Sequence, residues 1–216
     1  VYYAMFDPQS GPRWQGNLKK YKVVSGKQIG RHDKEALNNS TGHFSEDVTS
    51  FWSPANSRDG SEVAAGGVAE VLRKKTNRVI YSDLGTNKLE LLTQAKAEVA
   101  FTNKAGLAAA LNVAEDDIGD YLDWAKGKNV DNVKLADGTT PTMRPDVFGD
   151  PLHSTPVVIN YGTTGTGDET RDNVRIILGT NAGALHMFED KEETVDETWA
   201  FMPKEFFSNY KALRDN

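Results

Sequence analysis

The chain has 216 residues, with 25 Lys and Arg against 31 Asp and Glu, so its formal net charge is −6. This acidic excess argues against a general nucleic-acid-binding protein, because such proteins present a basic face to the phosphates. There is no cysteine, which excludes disulfide scaffolds, thiolate metal sites, iron–sulfur clusters and cysteine nucleophiles. The sequence contains no apolar run long enough for a membrane span, so we expect a globular chain.

The first half of the chain predicts strands, one long loop and an Ala-rich helical stretch. In chain order we predict strands at 1–6 and 14–24, a loop at 25–62, a helix at 63–75, a hairpin at 78–93 that turns at 85–87, and two short helices within 94–126. Apolar runs bounded by Gly, Pro and Ser predict the strands, and apolar residues at three- and four-residue steps predict the helices.

The second half is richer in predicted strands. In chain order we predict a loop at 127–151, a strand at 156–161, a Gly/Thr loop at 162–173, a hairpin at 174–189, an acidic turn at 189–197, a strand at 199–202 and a terminal helix from Lys204. The hairpin at 174–189 has apolar residues at successive positions, more than one face of a sheet can bury. We therefore expect a partner to cover one of its faces, and we expect the chain to self-associate.

A repeat relates the two clear hairpins. Residues 78–92 and 175–188 share one shape, in which Arg and three apolar residues are followed by a Gly/Asn turn and a second apolar strand. Repeated strand–turn–strand units are typical of β-propellers. Because two or three blades cannot close a ring, and because Val1 begins inside a strand-like run with no signal peptide before it, we interpret residues 1–216 as one region of a longer protein.

The sequence predicts no catalytic, cofactor-binding or metal site. The glycines of 162–167 are followed by Asp168 and Glu169 rather than by a helix and a lysine, which favours a hairpin loop over a phosphate cradle. Ser154 lies outside a GxSxG motif, and we expect Asp150 or Ser154 to cap free backbone N–H groups. The histidines have no metal-ligand spacing, and they are His32, His43, His153 and His186. His186 alternates with apolar neighbours, and we expect it to face solvent or a neighbouring blade.

Two acidic clusters and several aromatic residues remain as candidate binding groups. The clusters at 115–123 and 189–197 lack the DxDxDG spacing of a calcium loop, and we interpret each as a solvated face. Core anchoring is the favoured use of the large aromatic residues, with a carbohydrate platform as the alternative. These residues are Trp14, Phe51, Trp52, Trp124, Trp199 and Phe201.

Five blocks of sequence, taken together and in order, resemble one family. They are YYAMF…GPRWQGNLKKYKV, SFWSPANSRDGSEVAAGGVAEVL, RVIYSD, GDPLHSTPVVINYG and IILGTNAGALHMFE with the following ETWAFMPKE. This order resembles the C-terminal β-propeller of the PilY/PilC proteins, which lie at the tips of type IV pili in Gram-negative bacteria. GDPLHSTPVV and GTNAGALHMFE are the most specific blocks, and the resemblance covers nearly the whole chain.

The resemblance implies a mainly β fold, namely part of a modified quinoprotein-like β-propeller with helical and loop insertions, of which residues 1–216 would be an N-terminal, incomplete fragment. It also implies an exported protein at the cell surface, at the pilus tip or associated with the outer membrane. The implied role is a non-catalytic module for type IV pilus biogenesis and adhesion. Its implied partners are pilus subunits and minor pilins, together with host-cell or abiotic surfaces, and nucleic acid is not among them.

The resemblance also implies a calcium loop of alternating aspartates in the parent protein, but residues 1–216 do not contain such a loop. We therefore predict no cofactor in this region and leave calcium open for the full-length parent. Two alternatives remain. One is a quinoprotein dehydrogenase-like domain, although the vicinal cysteine pair frequent in those enzymes is missing, and absorbance after adding the quinone would identify it. The other is a carbohydrate-binding propeller that uses Trp52 or Trp124, which glycan arrays would identify.

Overall fold

A computed structural model of the chain describes residues 1–85 and 87–216. Thr86, which belongs to the turn predicted at 85–87, lies outside the described residues. The strands are β1 (Tyr2–Asp7), β2 (Gln15–Lys20), β3 (Lys22–Val24), β4 (Lys27–Ile29), β5 (Ile80–Gly85), β6 (Lys88–Leu91), β7 (Val157–Thr164), β8 (Arg171–Thr180), β9 (Ala184–Lys191) and β10 (Thr194–Phe201). The helices are α1 (Gly67–Lys74), α2 (Gln94–Ala100), α3 (Lys104–Leu111), α4 (Ile118–Ala125) and α5 (Phe207–Asp215).

The main sheet is mixed and has six strands in the order β6-β5-β10-β9-β8-β7, while β1-β2 and β3-β4 form separate two-stranded sheets. The predicted propeller is therefore wrong, and the described residues form a mixed α/β unit without a closed or propeller-like sheet. The two repeated hairpins are not separate blades. Both belong to the same sheet, because β5 pairs with β10 in parallel, with Ala200 opposite Ile80 and Phe201 opposite Tyr81.

Most predicted elements are confirmed, with four differences. The predicted strand at 14–24 is divided between β2 and β3, and β4, which pairs with β3, lies within the predicted loop at 25–62. The helical stretch contains three helices rather than two, because Thr102 adopts a positive φ of 78° and Asn103 begins a new helix by accepting a hydrogen bond from the Gly106 N–H at 2.9 Å. Strands β7 and β8 extend into the predicted Gly/Thr loop. Strands β9 and β10 also run through the predicted acidic turn, which leaves only residues 192 and 193 between them.

Both large hydrophobic clusters lie on the same face of the six-stranded sheet. One cluster joins helices α2 to α5 to inward residues of β5, β9 and β10, including Ile80, Ala184 and Ala200. The other joins β2, α1 and the segment 143–148 to Ile176 and Phe188. We call this side of the sheet the covered face. The helices of the described residues have at most nine residues, and none of them could span a membrane.

The long loop before α1 is fixed to β2 by buried polar groups. The Asn17 amide donates to the carbonyls of Val63 and Gly66 at 2.8 and 3.0 Å, and its oxygen accepts from the Ala69 N–H in the first turn of α1 at 3.0 Å. Gly66 has a φ of 62°, and a Cβ there would collide with Ser53 and Asp59. Within the block SFWSPANSRDGSEVAAGGVAEVL, the position of Gly66 therefore requires glycine for the loop to close against α1.

Candidate interaction surface

The second face of the main sheet carries two apolar rows that cross the strands. In-register strand neighbours point to the same face. The first row is Leu91, Tyr81, Phe201 and Leu185. The second row is Trp199, Met187, Ile177 and Val157. We call these eight residues the open face, and they alternate with the buried residues of the covered face.

Several residues of the open face are well exposed, since Leu185, Leu91 and Val157 have 37%, 44% and 54% of their surface accessible. Adjacent strands lie about 4.8 Å apart, so the open face extends over roughly 24 Å across the six strands. Apolar surface of this extent and continuity is typical of protein interaction sites. The prediction that the hairpin at 174–189 has more apolar residues than one face can bury is confirmed, because Ile177 and Met187 belong to the open face.

A charged row borders the open face. Asp196 of β10, Glu189 of β9 and Arg175 of β8 lie in register next to the second apolar row. An Arg175 guanidinium nitrogen lies 3.5 Å from the Glu189 carboxylate, and Lys191 lies 3.9 Å from the same carboxylate. The surface therefore has an apolar centre and a polar border, which is the arrangement found in protein–protein interfaces.

A buried charged cluster lies directly beneath the open face. Arg78 donates two hydrogen bonds of 2.7 Å to the Glu197 carboxylate, and a third of 2.8 Å to the Lys126 carbonyl. The His186 Nδ1 lies 2.7 Å from the same carboxylate, so it donates, and Nε2 then accepts from the Thr180 hydroxyl at 3.3 Å. Burial alone would raise the pKa of Glu197, but the Arg78 charge outweighs it and holds that pKa well below its usual range.

The position of His186 corrects the prediction that it faces solvent or a neighbouring blade. The side chain is completely buried on the covered face, where its ring stacks with Phe188 at a centroid distance of 5.5 Å. Burial lowers the pKa of His186, and Arg78 adds to this effect, while Glu197 opposes it. The imidazole is therefore held neutral by its surroundings.

We expect this histidine to make stability depend on pH. An unfolded histidine takes up a proton near pH 6.5, whereas His186 takes it up only at lower pH, so protonation favours the unfolded chain. The free energy of unfolding should fall as the pH drops from about 7.5 to about 5.5. In urea titrations, His186→Gln should flatten this slope, while His153→Gln, at an exposed histidine, should leave it unchanged. An equal slope in all three proteins would contradict the prediction.

The two most specific sequence blocks bind each other. The Asp150 carboxylate accepts hydrogen bonds from the Asn181 amide at 2.7 Å and from the Leu152 N–H at 3.3 Å. The Ser154 hydroxyl accepts from the Gly179 N–H at 3.1 Å. The prediction that Asp150 or Ser154 caps backbone N–H groups is thus confirmed, and the block GDPLHST fastens the chain to the β8–β9 turn beside the open face.

The structure separates the two acidic clusters. The carboxylates at 115–117 and 120 are exposed, and Asp123 pairs with Lys126 and Lys128 at 2.7 Å each, so the first cluster is a solvated face as predicted. The prediction that the cluster at 189–197 is also a solvated face is wrong in part. The segment 189–197 belongs to two strands, and alternation turns Asp190 and Glu197 onto the covered face. Asp190 there accepts from the Tyr2 hydroxyl at 2.6 Å.

The two tryptophans that a carbohydrate-binding propeller would use, Trp52 and Trp124, are core residues. Trp52 is 5% exposed, donates to Asp190 at 3.2 Å and stacks on Tyr2 at a centroid distance of 5.4 Å. Trp124 is 2% exposed, with the Arg144 guanidinium 4.2 Å from its ring centroid. Core anchoring is thus confirmed for both. Trp199 and Phe201 are the members of the aromatic set that contribute to the open face.

Within residues 1–85 and 87–216, no group of three or more His, Asp or Glu side chains could hold a metal ion. Two inward carboxylates of the 189–197 segment already face lysine, arginine or histidine partners. We therefore expect titration calorimetry with CaCl₂ to give no saturable heat at micromolar concentrations, because the carboxylate oxygens do not converge on one shell. A micromolar site would contradict this, and the segment 189–197 would be the first place to locate it.

Comparison with protein-family models, curated proteins and solved structures finds no match to this chain.

Proposed function

We propose that the chain is a non-catalytic interaction module of a type IV pilus tip protein, exported to the cell surface, where it supports pilus biogenesis and adhesion. The open face is the observation that carries the proposal, because a continuous apolar surface beside a charged row suits binding to another protein. The order of the five sequence blocks supports the pilus context. The proposed ligands of the open face are pilus subunits, including minor pilins.

The buried charges also support the proposal, because they hold in place the strands that form the open face. Arg78, Glu197 and His186 bind one another directly beneath the open face. The block GDPLHST is bound to Gly179 near the end of β8 and to Asn181 in the β8–β9 turn, just before the strand that carries Leu185. Both features hold the strands that present the apolar rows, and a rigid surface loses little conformational entropy on binding.

The proposal is tested with Leu185→Asp, which places a carboxylate on β9, where the first apolar row ends beside Met187 of the second row. We expect purified pilus subunits to bind the wild-type chain and to lose binding to this variant. In the bacterium that encodes the chain, the same substitution should reduce surface pili and attachment to epithelial cells or glass. Electron microscopy and adhesion counts measure these effects.

The matched control is Val99→Asp on α2. Val99 is 80% exposed and belongs to the helices on the covered face. Its substitution therefore adds the same charge away from the open face. We expect wild-type binding and piliation for this variant, and equal melting temperatures for both variants. Normal piliation and subunit binding with Leu185→Asp would refute the assignment of the open face to pilus subunits.

A further inference from the structure

Strand β7 is a long, uncharged edge of the main sheet. It is the last strand in the order β6-β5-β10-β9-β8-β7, and among the described residues it pairs with β8 alone. Val157, Val158 and Tyr161 are 54%, 49% and 60% exposed. Edge strands commonly carry charges that prevent pairing with another chain. No charged residue occurs between residues 155 and 167, whereas the opposite edge β6 is four residues long and contains Lys88 and Glu90.

The regular part of β7 comes first along the chain. Residues 157–160 pair in register with 177–174 of β8, and a bulge interrupts the ladder between Asn160 and Thr163. A bulge limits strand addition near its position, so the accessible pairing edge is centred on Ile159. On this edge, alternate backbone N–H and C=O groups point away from β8 and are available to another strand.

We propose that β7 pairs antiparallel with β7 of a second copy of this chain, which joins the two main sheets through a two-fold axis near Ile159. The occupant is a second copy because the neutral strand meets itself without opposing like charges, and a two-fold contact uses the same surface on both chains. The second apolar row of the open face also ends on β7, at Val157. Pairing therefore brings the open faces of the two copies to the same side of one joined sheet.

The test uses sedimentation equilibrium of the 216-residue chain, with Val158 as the substituted position. Val158 lies on the opposite side of β7 from Val157, so its substitution does not alter the open face. We expect the wild-type mass to approach twice 23.8 kDa with rising concentration. Val158→Lys alone and Val158→Glu alone should remain monomeric, since two like charges then lie close across the axis. An equimolar mixture of the two variants should form the dimer again.

The matched control is Leu89→Lys on the other edge, where Leu89 is 61% exposed, and this variant should dimerise like wild type. Hydrogen exchange of the wild-type chain gives a second measurement without a substitution, because the amides of residues 157–160 that point away from β8 should exchange more slowly at the concentration that favours the dimer. A monomeric wild-type chain at every concentration would overturn the proposal. A dimer that Leu89→Lys disrupts and Val158→Lys leaves intact would also overturn it. Neither outcome depends on binding to pilus subunits through the open face.

Discussion

We expect Arg78→Met to lower the free energy of unfolding by about 3–5 kcal/mol, the cost of removing one partner from a buried ion pair. The side chains of Arg78 and Glu197 are 2% and 1% exposed, so water cannot replace the lost guanidinium. The Glu197 carboxylate would keep only His186 as a hydrogen-bond partner at 2.7 Å. Urea denaturation followed by circular dichroism at about pH 7.5 measures the change.

Two further variants separate the ion pair from the loss of packing. Adding Glu197→Gln to Arg78→Met removes the unpaired charge, and we expect the double variant to recover part of the lost stability. Lys96→Met breaks the surface pair with Glu90, whose side chain is 36% exposed, and should cost no more than about 1 kcal/mol. If Arg78→Met and Lys96→Met have the same small effect, the buried cluster does not hold the sheet together.

Local sequence patterns were sufficient to predict the strands but not their assembly. The β5–β6 and β8–β9 hairpins follow from apolar runs around short turns, and both are confirmed. The parallel pairing of β5 with β10 joins residues about 120 positions apart, such as Ile80 and Ala200. No turn or spacing in the sequence specifies such a pairing, because a strand has the same local pattern in a blade and in an open sheet. The repeat of two hairpins therefore predicts two blades, whereas both hairpins belong to one sheet.

Buried polar residues are the second feature that local sequence patterns do not predict. His186 lies between Leu185 and Met187, and period-two alternation placed it opposite two apolar residues. The prediction that His186 faces solvent assumes that the side with Leu185 and Met187 is the covered one. In the structure those two residues form part of the open face, and His186 lies on the covered face with a carboxylate from the next strand. The sequence does indicate a partner for His186, since the segment 189–197 follows it closely and supplies carboxylates that the next strand can place beside it.

The open face itself was partly predictable. The excess of apolar residues in the hairpin at 174–189 indicated that one of its faces needs a partner, and Ile177, Leu185 and Met187 are indeed on the side away from both hydrophobic clusters. The contributions of Tyr81 and Leu91 were not predictable, because they depend on the parallel joint with β10. The surface is thus assembled by long-range pairing from residues that are unremarkable in their own hairpins.

We also expect Asp59→Ala to destabilise the chain by about 3–5 kcal/mol, because it leaves the buried Lys19 amine without its carboxylate partner. The side chains of both residues are fully buried, and their charged atoms lie 3.3 Å apart. Burial alone would raise the pKa of Asp59, but Lys19 and the hydrogen bonds from Ser50 hold it below the usual range. The carboxylate is therefore ionised at neutral pH, and the stability that it provides is lost only as the pH falls through its lowered pKa.

The matched control for this prediction is Asp47→Ala in the same loop. Asp47 pairs with Lys34 at 3.3 Å, but 61% of its side chain is exposed, so the substitution should cost no more than about 1 kcal/mol. Asp59→Ala should also increase proteolysis of the loop before α1, because Asp59 accepts from the Ser50 N–H at 2.9 Å and from the Ser53 hydroxyl at 2.9 Å. Limited proteolysis and urea denaturation measure the two effects. Equal stability of both variants would mean that the loop is held by Asn17 and the glycines at the start of α1, and that the buried pair contributes little.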